Sequence, residues 1–268
     1  MQKIIITGAD GRMGRALLSA VLDNPQLQLV GAVVKADSSL IGADVGELIG
    51  RGRLDIALSS DLSSLLASDT ILIDFTAPQA TLDNLAAALK HRSGVVIGTT
   101  GFNAEQLIEM NSYADRLAVV YAGNYSVGVN LSLQLLRLAT RVMGADSDIE
   151  IIEAHHRHKV DAPSGTALMM GEAVAEALGQ PLQALAVTDR AGQVGARAPG
   201  TIGFASLRGG DTVGEHTVLF AAEGERLEIS HKASSRQTFA RGALKAAQWL
   251  ADQDKLGLYN MEDVLGFR

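Results

Sequence analysis

From Lys3 to Tyr121 the chain repeats one pattern: a short run of consecutive apolar residues, a turn, then a stretch with helical spacing. The runs are Ile4-Ile5-Ile6-Thr7, Leu29 to Val34, Ile71 to Phe75, Val95 to Gly98 and Ala118 to Tyr121. Between them, Arg15 to Leu22 puts Ala16, Leu17, Ala20 and Val21 on one face, and an Ala/Leu helix extends from near Pro78 to His91. Apolar runs that do not alternate with polar residues mark strands buried on both faces. Such strands alternating with helices predict an α/β fold with a doubly wound, Rossmann-like parallel sheet.

After about Gly123 the pattern changes. Val127 to Met143 has the spacing of a long helix, Ile149 to Glu153 alternates like a half-buried strand, and Thr166 to Leu178 is helical. Thr201 to Leu207, Glu215 to Ala221 and Arg226 to His231 are strands separated by glycine-rich turns such as Arg208-Gly209-Gly210-Asp211. Consecutive strands joined by tight turns imply antiparallel pairing, so a second, α+β domain with a mixed or antiparallel sheet is expected. A last helix, Thr238 to Leu250, carries Trp249. The expected organisation is therefore residues 1–126 as one domain, 127–235 as a second, and 236–268 packing back on the first.

Bulk composition narrows the function. The net charge of −7 repels nucleic acid and anionic membrane, so neither is an expected partner, and an anionic substrate would need local basic groups. The absence of cysteine excludes disulfides, thiolate nucleophiles and cysteine-zinc sites, and no metal site is expected. No apolar stretch reaches membrane-spanning length and no signal-peptide pattern precedes the first strand, so the cytoplasm is the expected location.

The first apolar run leads into Gly8-Ala9-Asp10-Gly11-Arg12-Met13-Gly14, which opens a helix. Glycines at a strand-to-helix turn allow positive φ angles and a close approach of backbone to a pyrophosphate, and the helix start offers N–H groups to the phosphates. The spacing G-x-x-G-x-x-G departs from the commoner G-x-G-x-x-G, but its strand-turn-helix context predicts a dinucleotide site in the first domain. The second strand ends at Val34-Lys35-Ala36-Asp37, with a cation where a ribose-gripping carboxylate is usual. Lys35, assisted by Arg12, favours NADPH, or tolerance of both NADPH and NADH, over strict NADH use. Two loops at later strand ends, Phe75-Thr76-Ala77-Pro78 and Gly98-Thr99-Thr100-Gly101-Phe102, outline the same crevice.

Glu153 to Thr166 reads E-A-H-H-R-H-K-V-D-A-P-S-G-T and places three of the six histidines, an arginine and a lysine at consecutive positions 155–159. By composition alone this is a solvated basic loop. Beside the start of a helix, with Asp161 or Ser164 as its cap, it is equally a set of groups able to hold an anion and move protons near neutral pH.

Taken with Asp74-Phe75-Thr76, Asn124 to Asn130 and His231 to Arg236, these segments resemble the 4-hydroxy-tetrahydrodipicolinate reductase family from the first strand to the last helix. The resemblance implies hydride transfer from NAD(P)H to a cyclic, unsaturated dicarboxylic imine, with loss of water, in the diaminopimelate route to lysine. It makes His155 the acid/base and Lys159 a second proton donor, with His156, Gly165 and Thr166 on the substrate. The cofactor contacts it implies are Gly8, Ala9, Asp10, Gly11, Arg12, Met13, Lys35, Gly98, Thr99 and Thr100, with Ala122, Gly123, Asn124 and Tyr125 covering the nicotinamide. A homotetramer built through the second domain is also implied.

Departures are few. Tyr125 stands where many members have phenylalanine, adding a hydroxyl expected near the nicotinamide, and Ala77 stands where many have a basic residue. His216 and His231 are expected to be packing or interface residues, Arg157 and His158 scaffold, and Glu150 or Glu153 a partner for the basic loop. Two other readings remain: a different two-domain NAD(P)-dependent oxidoreductase, and an NADPH-sensing regulator without turnover. The complete His155 and Lys159 set argues against a sensor, which needs no proton donors.

Overall fold

In a computed structural model that describes residues 1–268, the chain separates into two compact units. Met1–Val127 together with Arg236–Arg268 make the first, and Gly128–Ser235 the second. The first begins with β1 (Gln2–Thr7), α1 (Arg12–Leu22), β2 (Leu27–Val33), α2 (Val45–Leu48) and β3 (Leu58–Ser59). It continues through β4 (Thr70–Asp74), α3 (Pro78–His91), β5 (Gly94–Ile97), α4 (Ala104–Asn111) and β6 (Ala118–Tyr121). Helix α5 (Val127–Met143) then leads into the second unit, with β7 (Asp148–His155), α6 (Gly165–Ala177), α7 (Leu182–Leu185) and β8 (Ala186–Val187). Strands β9 (Ile202–Arg208), β10 (Gly214–Ala222) and β11 (Glu225–Ala233) follow, and α8 (Gln237–Ala251), β12 (Gly257–Tyr259) and α9 (Met261–Val264) return to the first unit.

The first sheet has seven strands in the order β12-β6-β5-β4-β1-β2-β3, and every pairing in it is parallel. Ile4, Ile5, Ile6, Leu72, Ile73, Val95, Val96 and Ile97 are wholly enclosed, which is why these strands read as unbroken apolar runs. Each such side chain contributes about 1.5–3 kcal/mol by leaving water. The two edge strands, β3 and β12, are too short to carry a pattern in the sequence. Strand order reverses at β1, which has β2 on one side and β4 on the other, and ligands of doubly wound sheets lie at the carboxyl ends of strands flanking such a reversal.

Helix α8 belongs to this sheet's core rather than to the strands that precede it. Ala240, Ala243, Leu244 and Ala247 pack in one cluster with Leu17 and Val21 of α1, and Gln237 Nε2 donates to the Ala16 carbonyl at 3.4 Å.

The second sheet is mixed, in the order β11-β10-β7-β9-β8. β10 runs antiparallel to β11 and β7, whereas β9 is parallel to β7 and β8. The expectation that β9 and β10 pair through their glycine-rich turn is corrected here, since they lie on opposite sides of β7. The turn is taken up by the end of β7. Gly209 N–H donates to the His155 carbonyl at 2.9 Å, and His156 and Arg157 N–H donate to the carbonyls of Thr212 and Gly210 at 2.8 and 3.3 Å. One face of the sheet is covered by α6, whose Met170 and Val174 pack with Ile149, Ile151, Phe204 and Phe220. On the other face Ile152 and Leu207 are exposed.

Candidate active site

The first unit builds its site from backbone. Gly8 turns the chain out of β1 at φ +65°, and a Cβ there would lie 3.0 Å from the Phe75 carbonyl oxygen. Gly11 caps α1 without any side-chain hydrogen bond, so the N–H groups of the first turn are not claimed by a capping side chain. The helix starts at Arg12 rather than at the expected Arg15, placing Gly14 inside it, where a Cβ would run into the Gly8 carbonyl and Ala9. Arg15 fastens the turn by donating to the carbonyls of Asp10 and Leu48, each at 3.1 Å. Arg12 and Lys35 are exposed, and the Asp10 carboxylate receives the Ser38 hydroxyl at 3.4 Å. A helix start without a side-chain cap, approached this closely by glycine, fits the diphosphate of a dinucleotide.

The two later loops meet on a buried carboxylate. Asp74 accepts from Thr76 Oγ1 at 2.6 Å, Asn84 Nδ2 at 2.9 Å and Thr99 Oγ1 at 3.4 Å, and Thr76 N–H donates to Thr99 Oγ1 at 2.9 Å. Thr99 is therefore spent on holding the loops together, while Gly98 is half-buried and Thr100 exposed. Ala122, Gly123 and Asn124 follow β6 at the same end of the sheet, with Asn124 Oδ1 accepting from Ser126 N–H at 2.8 Å.

Tyr125 departs from expectation. Its side chain is 1% exposed and its hydroxyl lies 2.8 and 3.1 Å from the carbonyls of Ile97 and Val120, with the ring tilted against Phe75 at 5.6 Å. The extra hydroxyl serves the core of the sheet, burial raises its pKa well above the ordinary value, and it is not offered to a ligand.

The second unit builds its site from charged side chains at the end of β7. Residues 149, 151, 153 and 155 share the buried face of that strand, so Glu153 and His155 are neighbours, while Glu150 points to the other face. Glu153 Oε2 sits 2.6 Å from His155 Nδ1. Arg208 grips the same carboxylate with both terminal nitrogens, at 2.8 and 2.7 Å, and donates to the Asp161 carbonyl at 2.7 Å. Burial works to raise the Glu153 pKa, but hydrogen bonds from Arg208, Ser206 and His155 outweigh it and hold the carboxyl at about 2. Burial lowers His155, opposed by the Glu153 charge. Its ring packs edge-on to that of His216 at 5.1 Å between centroids, and burial takes His216 down to about 4.

The rest of the basic run separates into parts. Lys159 Nζ donates to both oxygens of Asp161 at 2.8 Å, so Asp161 is the lysine's partner, and Ser164 alone caps α6 by accepting from Ala167 N–H at 3.1 Å. Ser164 Oγ also lies 2.9 Å from His216 Nε2, and its N–H donates to Glu153 Oε1 at 3.3 Å. Gly165 and Thr166 form the first turn of α6, and apart from its chain neighbours and the helix's own backbone nothing lies within 4 Å of where a Gly165 Cβ would stand. His156 is half-buried beside His158, whereas Arg157 and His158 are exposed. Glu150 is held on the opposite face by Arg190 and Arg197 and does not reach the basic run. Sequence reasoning missed Arg208 as a site residue. No local pattern could have found it, because the pairing of β7 with β9 is what brings Arg208 to Glu153, 55 residues earlier.

Comparison with known proteins covers both units. Residues 2–125 match the family model described as dihydrodipicolinate reductase, N-terminus, and residues 128–265 the one described as dihydrodipicolinate reductase, C-terminus. The chain is 56% identical over the whole of both sequences to 4-hydroxy-tetrahydrodipicolinate reductase of Pseudomonas fluorescens. Among solved structures it is similar to dipicolinate-bound dihydrodipicolinate reductase from Paenisporosarcina sp. TG-14, at 26% identity and TM-score 0.75, covering 98% of this chain and 99% of that one. The amine dehydrogenase of Mycobacterium smegmatis shares the fold at 14% identity and TM-score 0.65, covering 96% and 94%.

Proposed function

Because the chain belongs to the dihydrodipicolinate reductase family, we propose that His155 and Lys159 handle the protons and charge of its reaction. That reaction is the NAD(P)H-dependent reduction of 4-hydroxy-tetrahydrodipicolinate to tetrahydrodipicolinate with loss of water, a step of lysine biosynthesis through diaminopimelate. The nicotinamide cofactor, when bound, supplies the hydride. Gly8 to Met13 hold its diphosphate by backbone N–H groups, with Gly98, Thr99, Thr100 and Ala122 to Tyr125 around the nicotinamide end, where Tyr125 contributes main chain only. Lys35, exposed at the tip of β2, favours NADPH.

Hydride addition to a conjugated imine leaves an electron pair that a proton must quench, which calls for a donor near neutral pKa. The single observation that carries this role is His155 at the buried end of β7 with Nδ1 on Glu153, which leaves Nε2 as the nitrogen that can exchange a proton. Lys159 stabilises the negative charge that develops on the ring, leaving Asp161 for the substrate as it does so. Gly165 and Thr166, in the open first turn of α6, take a substrate carboxylate on their N–H groups, with His156 beside them.

Ile152 and Leu207 on the uncovered sheet face favour a homotetramer through the second unit, which light scattering checks. The activity is tested with freshly condensed pyruvate and aspartate semialdehyde, following the loss of reduced nicotinamide with NADPH and with NADH. Substrate-dependent oxidation with a lower KM for NADPH is expected. Cofactor binding without substrate-dependent oxidation would return the chain to the sensor reading.

A further inference from the structure

Glu153 makes more contacts than a simple partner for a histidine needs. One of its oxygens accepts from Ser164 N–H and one arm of Arg208, and the other meets His155 Nδ1 and the second arm of Arg208. Arg208 in turn holds the carbonyl of Asp161, the residue paired with Lys159. Three parts of the site thus hang on one carboxylate: the ring of His155, the loop that carries Lys159, and the residue immediately before Gly165 and Thr166. The carboxylate is buried, with 1% of its surface exposed, and therefore cannot exchange these partners for water.

We propose that Glu153, clamped by Arg208, is the positioning residue of the reduction, fixing the tautomer of His155 and its register with the lysine loop and the carboxylate clamp. An ionised carboxylate accepts only, so a neutral His155 must carry its proton on Nδ1 and present the bare Nε2 for recharging. Orientation of a histidine by a carboxylate on its other nitrogen is the logic of hydrolytic triads, here placed in a hydride-transfer enzyme. Arg208 has a second effect. A buried anion beside the site of a dicarboxylate would repel it, and the bidentate arginine cancels that charge.

The groups facing His155 act in opposite directions. Glu153 raises its proton affinity, while Lys159 from the following loop and Arg208 from β9 lower it. His216 from β10 faces its ring, and His231 of β11 stands across from His216. Glu153 is the only one of these groups that favours the protonated acid, so removing its charge moves the loss of activity at high pH to lower pH.

The inference rests on His155 being the acid, and the experiment separates the two claims. In Glu153→Gln, kcat should fall about tenfold or more with NADPH affinity unchanged. The basic limb of its kcat/KM profile should move down by about one pH unit. Glu153→Asp, which keeps the charge, should keep the limb near its wild-type position. A folded Glu153→Gln enzyme with an unmoved limb overturns the proposal. Should that variant not fold, nitrogen-15 NMR of histidine-labelled wild-type enzyme decides. Neutral His155, identified by its absence in His155→Gln, is expected as the Nδ1–H tautomer, and the Nε2–H tautomer overturns the proposal. Full activity in His155→Gln would instead sink the reading of His155 as the acid, leaving the tautomer result to stand on its own.

Discussion

The two units build their candidate sites by opposite means. At the end of β1 the site is a place where side chains are missing, with Gly8, Gly11 and Gly14 letting main chain and helix start come close to a ligand. At the end of β7 it is a place where side chains are concentrated, a buried carboxylate binding an arginine, a histidine and a backbone amide. The first kind of site depends on steric clearance and is indifferent to pH. The second depends on charges held in a poorly hydrated setting and is sensitive to proton concentration. Under the proposed function, a cofactor common to many reactions is met by the first kind, and a substrate that must be protonated at one atom by the second.

The sharpest division between them is kinetic. His155→Gln and Lys159→Ala should each lower kcat by about a hundredfold to ten-thousandfold, with the Kd for NADPH, measured by fluorescence quenching, unchanged. A parallel loss of cofactor affinity would break the separation. Next in size is the response to acid. Five of the six histidines lie in the second unit, and the first has only His91. The folded His216 titrates at about 4 against an ordinary 6.5, so the unfolded chain takes up its proton first as pH falls through that window. The stability due to neutral His216 is full above 6.5 and is lost between 6.5 and 4, on the order of 3 kcal/mol. Glu153, held at about 2 against 4.5, acts in the same direction at lower pH. Hydrogen exchange at about pH 4.5 should therefore find β7, β10 and α6 opening before β1, β4 and β5. Equal opening of both units would refute it.

Smaller effects probe the clearance. Gly14→Ala drives a Cβ into the Gly8 carbonyl and should cost about 1–3 kcal/mol, read as a lower Tm together with weaker NADPH binding. Tyr125→Phe removes a hydroxyl from the Ile97 and Val120 carbonyls and should cost about 1 kcal/mol with the KM for NADPH unchanged. A change in that KM would put the hydroxyl back beside the nicotinamide.

The first sheet was the more legible half because its strands are buried on both faces and its turn needs glycine, and both facts leave a local mark in residue order. The second resisted because its pairing is decided elsewhere. Nothing in Arg208-Gly209-Gly210-Asp211 says that the turn will bond to His155 and His156 rather than close a hairpin, so β9 and β10 were expected side by side. The alternating strand was read only as far as Glu153, whereas β7 continues to His155 on the same buried face, and the arginine that completes the pair lies 55 residues from Glu153, beyond any local pattern. Tyr125 misled for a related reason. Its loop is at the ligand end of the sheet, and only the positions of β5 and β6 show that the ring turns inward.

Helix α8 and strand β12 close the first unit from the far end of the chain, and this sets an order of assembly during synthesis. The second unit is contiguous and is complete once Ser235 has left the ribosome. The first, although begun more than a hundred residues earlier, still has Leu17 and Val21 without their cover and β6 without its outer neighbour. The domain made first is the domain finished last, so the nascent chain carries an incomplete nucleotide fold through the synthesis of an entire second domain.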